Sequence, residues 1–263
     1  MRDLKISLLQ ADLVWEDAEA NREKFSREIA KVDDDSDLII LPEMFSTGFS
    51  MNASQIAEPE DGPTVDWMRA SARTRNAVIV GSLLIEDDGE YYNRLVWMKP
   101  DGEALHYDKR HLFSMAGEDQ HFTAGDTRLI AELWGWKICP FICYDLRFPV
   151  WTRNVKCEFD VALFVANWPQ KRVAHWRTLL KARAIENQCW AIGVNRVGRD
   201  GNGHLYSGNS AVIDPHGEVL FEKENEECIY TMILQAERVK KYRQAFPFWV
   251  DADQFELITR KSK

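Results

Sequence analysis

Short apolar runs alternate with polar and turn-forming stretches along the whole chain. Their period switches between about two and about 3.6 residues, the signatures of strand and helix. Residues 4–10 predict a strand, with Ile6, Leu8 and Leu9 apolar. Residues 17–32 predict a helix on the spacing of Ala20, Phe25, Ile29 and Val32. The unbroken run 38–41 marks a strand buried on both faces. Pro63 sits where a second helix should begin, and that helix runs to about Arg75. Residues 77–85, 92–98 and 103–107 predict three more strands, with a tight turn at Pro100-Asp101-Gly102. Residues 113–124 read as an irregular loop. Residues 128–132 and 136–142 form a strand pair, although Pro140 puts a regular central ladder there in doubt. A strand at 159–166, a helix at 173–187 and a strand at 189–194 follow. Residues 210–213 and 218–222 flank the hairpin Asp214-Pro215-His216-Gly217, and 228–234 is the last strand. From Ala236 onward the chain reads as an aromatic, irregular tail.

Strands running both ways with helices between them predict two mixed sheets face to face, with helices on the outsides. The fold class is therefore α/β, with mixed sheets. No linker and no repeat interrupts the 263 residues. They read as one domain, 1–263, with 236–263 packing on that domain or on a partner subunit. A hydrophobic content of 45% is ample for one large core.

Charge narrows the partners. Lys plus Arg number 33 against 42 Asp plus Glu, a formal net charge of −9. An acidic chain without a basic block argues against nucleic acid or an anionic membrane. Five cysteines without regular spacing make no disulfide framework. With no signal peptide or membrane span visible, the expectation is a cytoplasmic protein whose thiols stay reduced. Cys139 and Cys143 lie four apart without a second ligand pair, so no metal is expected. The glycine-rich stretch 198–203 lacks the Lys-Ser/Thr of a phosphate loop and reads as flexible.

Candidate chemistry centres on Cys143. It ends an apolar strand, and residues 148–153 would open a helix beyond it. A strand-to-helix bend pushes a side chain out of the sheet edge and leaves backbone N–H groups free to hold a negative oxygen. A free thiol is mostly protonated near neutral pH, so a nucleophilic role needs a base from elsewhere. The plain alternative is that Cys143 is a small buried hydrophobe. Three charged residues lie beyond the ends of other apolar runs: Glu43, Lys109 and, in the following loop, Glu118. A carboxylate poorly reached by water makes a better base. A nearby ammonium favours a thiolate and an oxyanion. Each also has an ordinary reading, as a loop cap, part of a solvated charge run, or an exposed loop residue.

Leu41-Pro42-Glu43, Tyr107-Asp108-Lys109-Arg110-His111-Leu112-Phe113 and Cys143-Tyr144-Asp145-Leu146-Arg147-Phe148-Pro149 resemble, in order and spacing, the motifs of the carbon–nitrogen hydrolase (nitrilase) superfamily. The resemblance extends to Asn167-Trp168-Pro169, Arg183-Ala184-Ile185-Glu186-Asn187 and the Asp214 hairpin. It implies a four-layer α-β-β-α sandwich, commonly a homodimer, with no cofactor. It implies a Glu–Lys–Cys triad at Glu43, Lys109 and Cys143, a supporting Glu118, and the backbone N–H of Tyr144 at the oxyanion. Tyr-Asp-Leu-Arg-Phe-Pro after the cysteine resembles the omega-amidase branch, which cleaves the terminal amide of 2-oxoglutaramate and 2-oxosuccinamate. Such a small-molecule amide carries a carboxylate, and a site with two glutamates needs a further cation to hold it. Arg147 is the candidate; its alternative is an ion pair with Asp145 or Glu118. Phe45, Met115 and Trp168 follow motif residues and are candidate pocket walls. The competing readings are a sister hydrolase of nitriles, carbamoyl groups or other amides, a non-catalytic protein on the same fold, and a redox-sensing cysteine protein.

Overall fold

Successive residues of the strand Leu38–Ile40 enter different cores, because side chains alternate across a strand. Leu38 and Ile40 join the core between two sheets, and Ile39 joins the core under the helices. The neighbouring strand Val78–Asp87 repeats the pattern: Val78 and Val80 face the sheet interface, Ile79 the helices. The computed structural model describes residues 1–257.

The first sheet has the order Cys228–Leu234, Leu4–Gln10, Leu38–Ile40, Val78–Asp87, Glu90–Met98, Ala104–Asp108. Its three central strands run parallel and the flanking ones antiparallel. The second sheet has the order Val197–Arg199, Leu205–Ile213, Trp190–Asn195, Val161–Ala166, Trp136–Ile142, Ala131–Leu133. It too has three parallel strands at its centre. The helices Ala18–Ile29 and Pro63–Arg75 cover the first sheet with Phe25, Ile29, Val65 and Met68. The helix Val173–Asn187 covers the second with Trp176 and Leu180, and only a glycine fits below it. A Cβ on Gly193 would lie 2.5 Å from Leu180 and 2.6 Å from Trp176. The result is a mixed α/β sandwich of four layers, helix–sheet–sheet–helix.

Local signals set the element ends. Asp17 caps its helix by accepting from the Ala20 N–H at 2.9 Å, Pro63 occupies a first-turn position, and Asn76 ends that helix in the left-handed region at φ 48°. The first helix stops at Ile29 rather than Val32. Pro140 does not disturb its strand. The pairing with Val161–Ala166 stays in register from Ile138 to Ile142, while the short strand on the other side reaches only Ile138. Beyond that point one flank is free, which is where a residue without an N–H is tolerated.

Three other expectations are corrected. The helical turn after the bend is Cys143–Arg147, so it begins at the cysteine itself and not at Phe148. The loop 113–124 contains two 3-10 turns, Ser114–Ala116 and Glu118–Gln120. The tail is not irregular throughout, because Ala236–Ala245 is a helix that buries Val239. Among the described residues, no helix is long and apolar enough to cross a membrane.

Candidate active site

The two sheets meet at the ends of their central strands. There the first sheet delivers Glu43, the second delivers Cys143 and Asn167, and Lys109 comes in from the first sheet's edge strand Ala104–Asp108. Glu43 sits in the turn after Leu38–Ile40, pinned to the next strand. The Met44 N–H donates to Ser82 Oγ at 2.8 Å and the Phe45 N–H to the Ser82 carbonyl at 3.1 Å. This turn lies close on Gly81, where a Cβ would come within 2.8 Å of the Phe45 ring and 2.9 Å of Leu41. It sends Glu43 toward the second sheet and Phe45 the other way. Phe45 is therefore no pocket wall. It is buried under the helices, its ring 5.4 Å from Phe25 and 5.7 Å from Trp67.

Lys109 follows the strand Ala104–Asp108 and is 1% exposed. Its Nζ lies 2.9 Å from Glu43 Oε1 and 2.9 Å from both oxygens of Glu118. Glu43 and Glu118 are fully buried. Asn93 Nδ2 donates to Glu43 at 2.8 Å and to Glu118 at 3.3 Å, and the Asn167 N–H donates to Glu43 Oε2 at 2.7 Å. The Phe113 N–H also donates to Glu118. Burying ions costs several kcal/mol each unless partners compensate, and here every charge has partners. Burial pushes Lys109 down, but Glu118 and Glu43 outweigh it and hold its ammonium above the ordinary value. Burial is also the main push on Glu118; Glu43 adds to it, Lys109 opposes it, and the carboxyl ends up above its ordinary range.

Cys143 takes a left-handed backbone at φ 43°, uncommon for a residue with a Cβ. Asp145, fully buried two residues on, braces that bend. Its carboxylate accepts the Ile142 N–H at 3.0 Å, the Tyr107 hydroxyl at 2.6 Å and the His111 N–H at 3.0 Å, with His111 Nδ1 at 2.8 Å. Trp151 Nε1 donates to the Tyr107 oxygen at 3.0 Å. Glu43 and Lys109 both lie close enough for their charges to act on the thiol. Burial first, then the Glu43 charge, push the thiol well above its ordinary range, with Lys109 pulling the other way. At rest the sulfur is therefore protonated, with a carboxylate near it.

Above this floor lies a cavity of about 310 Å³, lined by Lys109, Cys143, Tyr144, Asn167, Trp168 and Tyr206 among others. Arg147 lines it too and pairs with neither Asp145 nor Glu118. Its guanidinium stacks 4.5 Å over the Trp168 ring, and its Nη2 lies 3.2 Å from His175 Nδ1. Met115 lines it as well, with 84% of its surface exposed.

The sequence reading missed several lining residues. Lys171 and Arg172 reach the cavity from the turn before the helix Val173–Asn187. Asp200, Asn202, His204 and Tyr206 line its far side. The stretch 198–203 is a built turn: Asp200 accepts from the N–H groups of Asn202 and His204 and from the Tyr206 hydroxyl at 2.8 to 3.0 Å. Asn93 also went unnoticed, because it stands among Glu90, Tyr92 and Arg94 in the polar half of its strand, where an Asn carries no distinctive signal. Among the described residues no three His, Cys, Asp or Glu side chains are grouped to hold a metal ion.

The carbon–nitrogen hydrolase family model matches residues 5–244. The omega-amidase YafV of Yersinia enterocolitica is 47% identical over 259 residues, 98% of this chain and 100% of the relative. The 2-oxoglutaramate amidase of Bacillus subtilis is 32% identical over 94% of this chain and 96% of its own length. A solved CN-hydrolase superfamily protein of Xanthomonas campestris, described with an arsenic adduct in its active site, superposes with a TM-score of 0.96. It is 45% identical and covers 98% of this chain and 100% of its own. Motif order, sheet architecture and these likenesses agree: the chain belongs to the carbon–nitrogen hydrolase family.

Proposed function

We propose that the protein is a thiol-dependent omega-amidase, hydrolysing the terminal amide of a small carboxylate-bearing substrate such as 2-oxoglutaramate or 2-oxosuccinamate. One observation supports the mechanism: a buried Lys109–Glu43 ion pair at 2.9 Å beside a protonated thiol that lines the same cavity as Lys109. Glu43 takes the Cys143 proton as the sulfur attacks the amide carbon. The carbonyl oxygen becomes an oxyanion between Lys109 and the Tyr144 N–H. Lys109 has three protons. If the two Glu118 oxygens share one and Glu43 takes another, the third serves the oxyanion. Glu43 passes its proton to the leaving nitrogen, the C–N bond breaks, and ammonia departs from a Cys143 thioester. Water then gives a proton to Glu43 and attacks the thioester. The C–S bond breaks, the proton returns to sulfur, and the acid leaves. Glu118 holds Lys109 in place through both oxygens. Asp145 is a positioning residue for the bend.

Arg147 takes the substrate carboxylate, and Trp168 holds its guanidinium flat. The names of the omega-amidase and 2-oxoglutaramate amidase relatives favour that substrate class. We place the enzyme in the cytoplasm as a homodimer, a reading supported by five unpaired cysteines and by exposed Phe246, Val250 and Phe255 on the tail. The deciding experiment is ammonia release from 2-oxoglutaramate by wild type and Cys143→Ala. Release by wild type alone is expected; release that survives the substitution removes Cys143 from the chemistry.

A further inference from the structure

Two guanidiniums share the mouth of the cavity. Arg147 lies on Trp168, and Arg172 lies 5.2 Å over the ring of Phe113. Both line the same space, and each stacks on a different wall. The main chain of Arg172 is fixed as well: its carbonyl accepts the Trp168 indole N–H at 2.8 Å and its N–H donates to the Pro169 carbonyl at 2.9 Å. Like charges so placed repel, and after burial the Arg172 charge is the largest influence depressing Arg147. Lys171 adds a third cation to the lining.

Among the described residues, neither guanidinium has a carboxylate partner. The acid on the opposite wall is Asp200, whose oxygens are already taken by the Tyr206 hydroxyl and by the Asn202 and His204 N–H groups. In a chain of net charge −9, an unneutralised cation pair inside a cavity points to an anionic occupant.

A single carboxylate needs only one bidentate guanidinium. The second has another use. Amides with the same skeleton differ at carbon 2, where a 2-oxo acid offers an acceptor and a 2-amino acid presents an ammonium. We propose that Arg172 is a specificity-determining residue that reads this position. Arg147 holds the carboxylate, while Arg172 donates to the adjoining oxo oxygen and repels an ammonium placed there. The proposal rests on the omega-amidase reading of the site. It assigns the rejection of glutamine and asparagine to one positive charge, a discrimination achieved by penalising the competitor.

The test compares 2-oxoglutaramate, glutaramate and glutamine as substrates for wild type, Arg172→Gln and Arg172→Lys. In Arg172→Gln, KM for 2-oxoglutaramate should rise about tenfold, with the loss mainly on KM. The preference for glutaramate over glutamine should narrow by about tenfold. Arg172→Lys, which keeps the charge and loses the planar fork, should still reject glutamine. A glutaramate-to-glutamine preference that is the same in wild type and Arg172→Gln overturns the proposal. Binding gives a readout independent of turnover. On a Cys143→Ala background, glutaramate should raise the melting temperature more than glutamine does, and Arg172→Gln should shrink that difference. Absence of ammonia from 2-oxoglutaramate in wild type counts against the amidase reading. An undiminished binding difference counts against Arg172.

Discussion

The floor and the mouth of the cavity handle charge in opposite ways. On the floor, Lys109, Glu43 and Glu118 have almost no contact with water, and each is held by several partners within about 3 Å. At the mouth, Arg147, Lys171 and Arg172 line open space, two of them resting on aromatic faces. The floor is satisfied by the protein alone and is suited to stay fixed while protons move through it. The mouth is left incomplete and is suited to receive a ligand. Buried ions must be paired by the fold because isolated ones cost too much. Half-exposed guanidiniums stay hydrated and can wait for a partner.

The floor is the place to break this contrast most severely. Lys109→Met keeps the length of the side chain and leaves two carboxylates facing each other in a dry site. Turnover should fall by about a thousandfold or more. Stability should drop by about 3–5 kcal/mol in denaturant unfolding, because a buried network has lost one partner. Loss of activity at unchanged stability would show that the floor is not held by its charges.

A milder change separates the two carboxylates. The carboxyl of Glu118 is raised above 4.5 in the fold, so over a window above that value the folded chain binds a proton that the unfolded chain has released. Stability from this group is complete below 4.5 and is lost as pH rises through the folded value. Glu118→Gln should remove that slope from a melting-temperature series against pH, while turnover falls by about tenfold or more as Lys109 loses its orienting partner. An identical slope in the variant would put the proton elsewhere. The smallest structural effect belongs to the mouth. Arg147→Gln should leave stability within about 0.5 kcal/mol of wild type, while KM for a carboxylate-bearing amide rises about tenfold. Stability that falls by several kcal/mol would make Arg147 a structural residue.

Both sheets were readable in the sequence, since strands buried on two faces leave unbroken apolar runs such as 38–41. The positions of Glu43 and Cys143 were readable for the same reason, each lying just past such a run, whereas Lys109 follows the mixed, half-buried strand Ala104–Asp108 and was marked out by its motif. What escaped depends on direction rather than spacing. Adjacency could not show that one turn aims Glu43 and Phe45 to opposite sides, a separation made by the close approach to Gly81. Nor could the pattern reveal that Asp108-Lys109-Arg110-His111 is not a solvated charge run. Its members turn separately to Arg94, Glu43 with Glu118, the Gly125 carbonyl and Asp145. Arg172 and Asp200 were invisible because they come from irregular turns held by local hydrogen bonds, which leave no periodic pattern in the sequence.

Asn167 joins the halves of the molecule at the site itself. Its N–H binds the Glu43 carboxylate and its Nδ2 the Glu43 carbonyl at 2.6 Å, reaching from one sheet to the other. A chain whose sheets have not yet docked holds only a protonated sulfhydryl on one side and an acid on the other. Hydrolytic power therefore arrives late in assembly, and the first turnover reports that folding is finished.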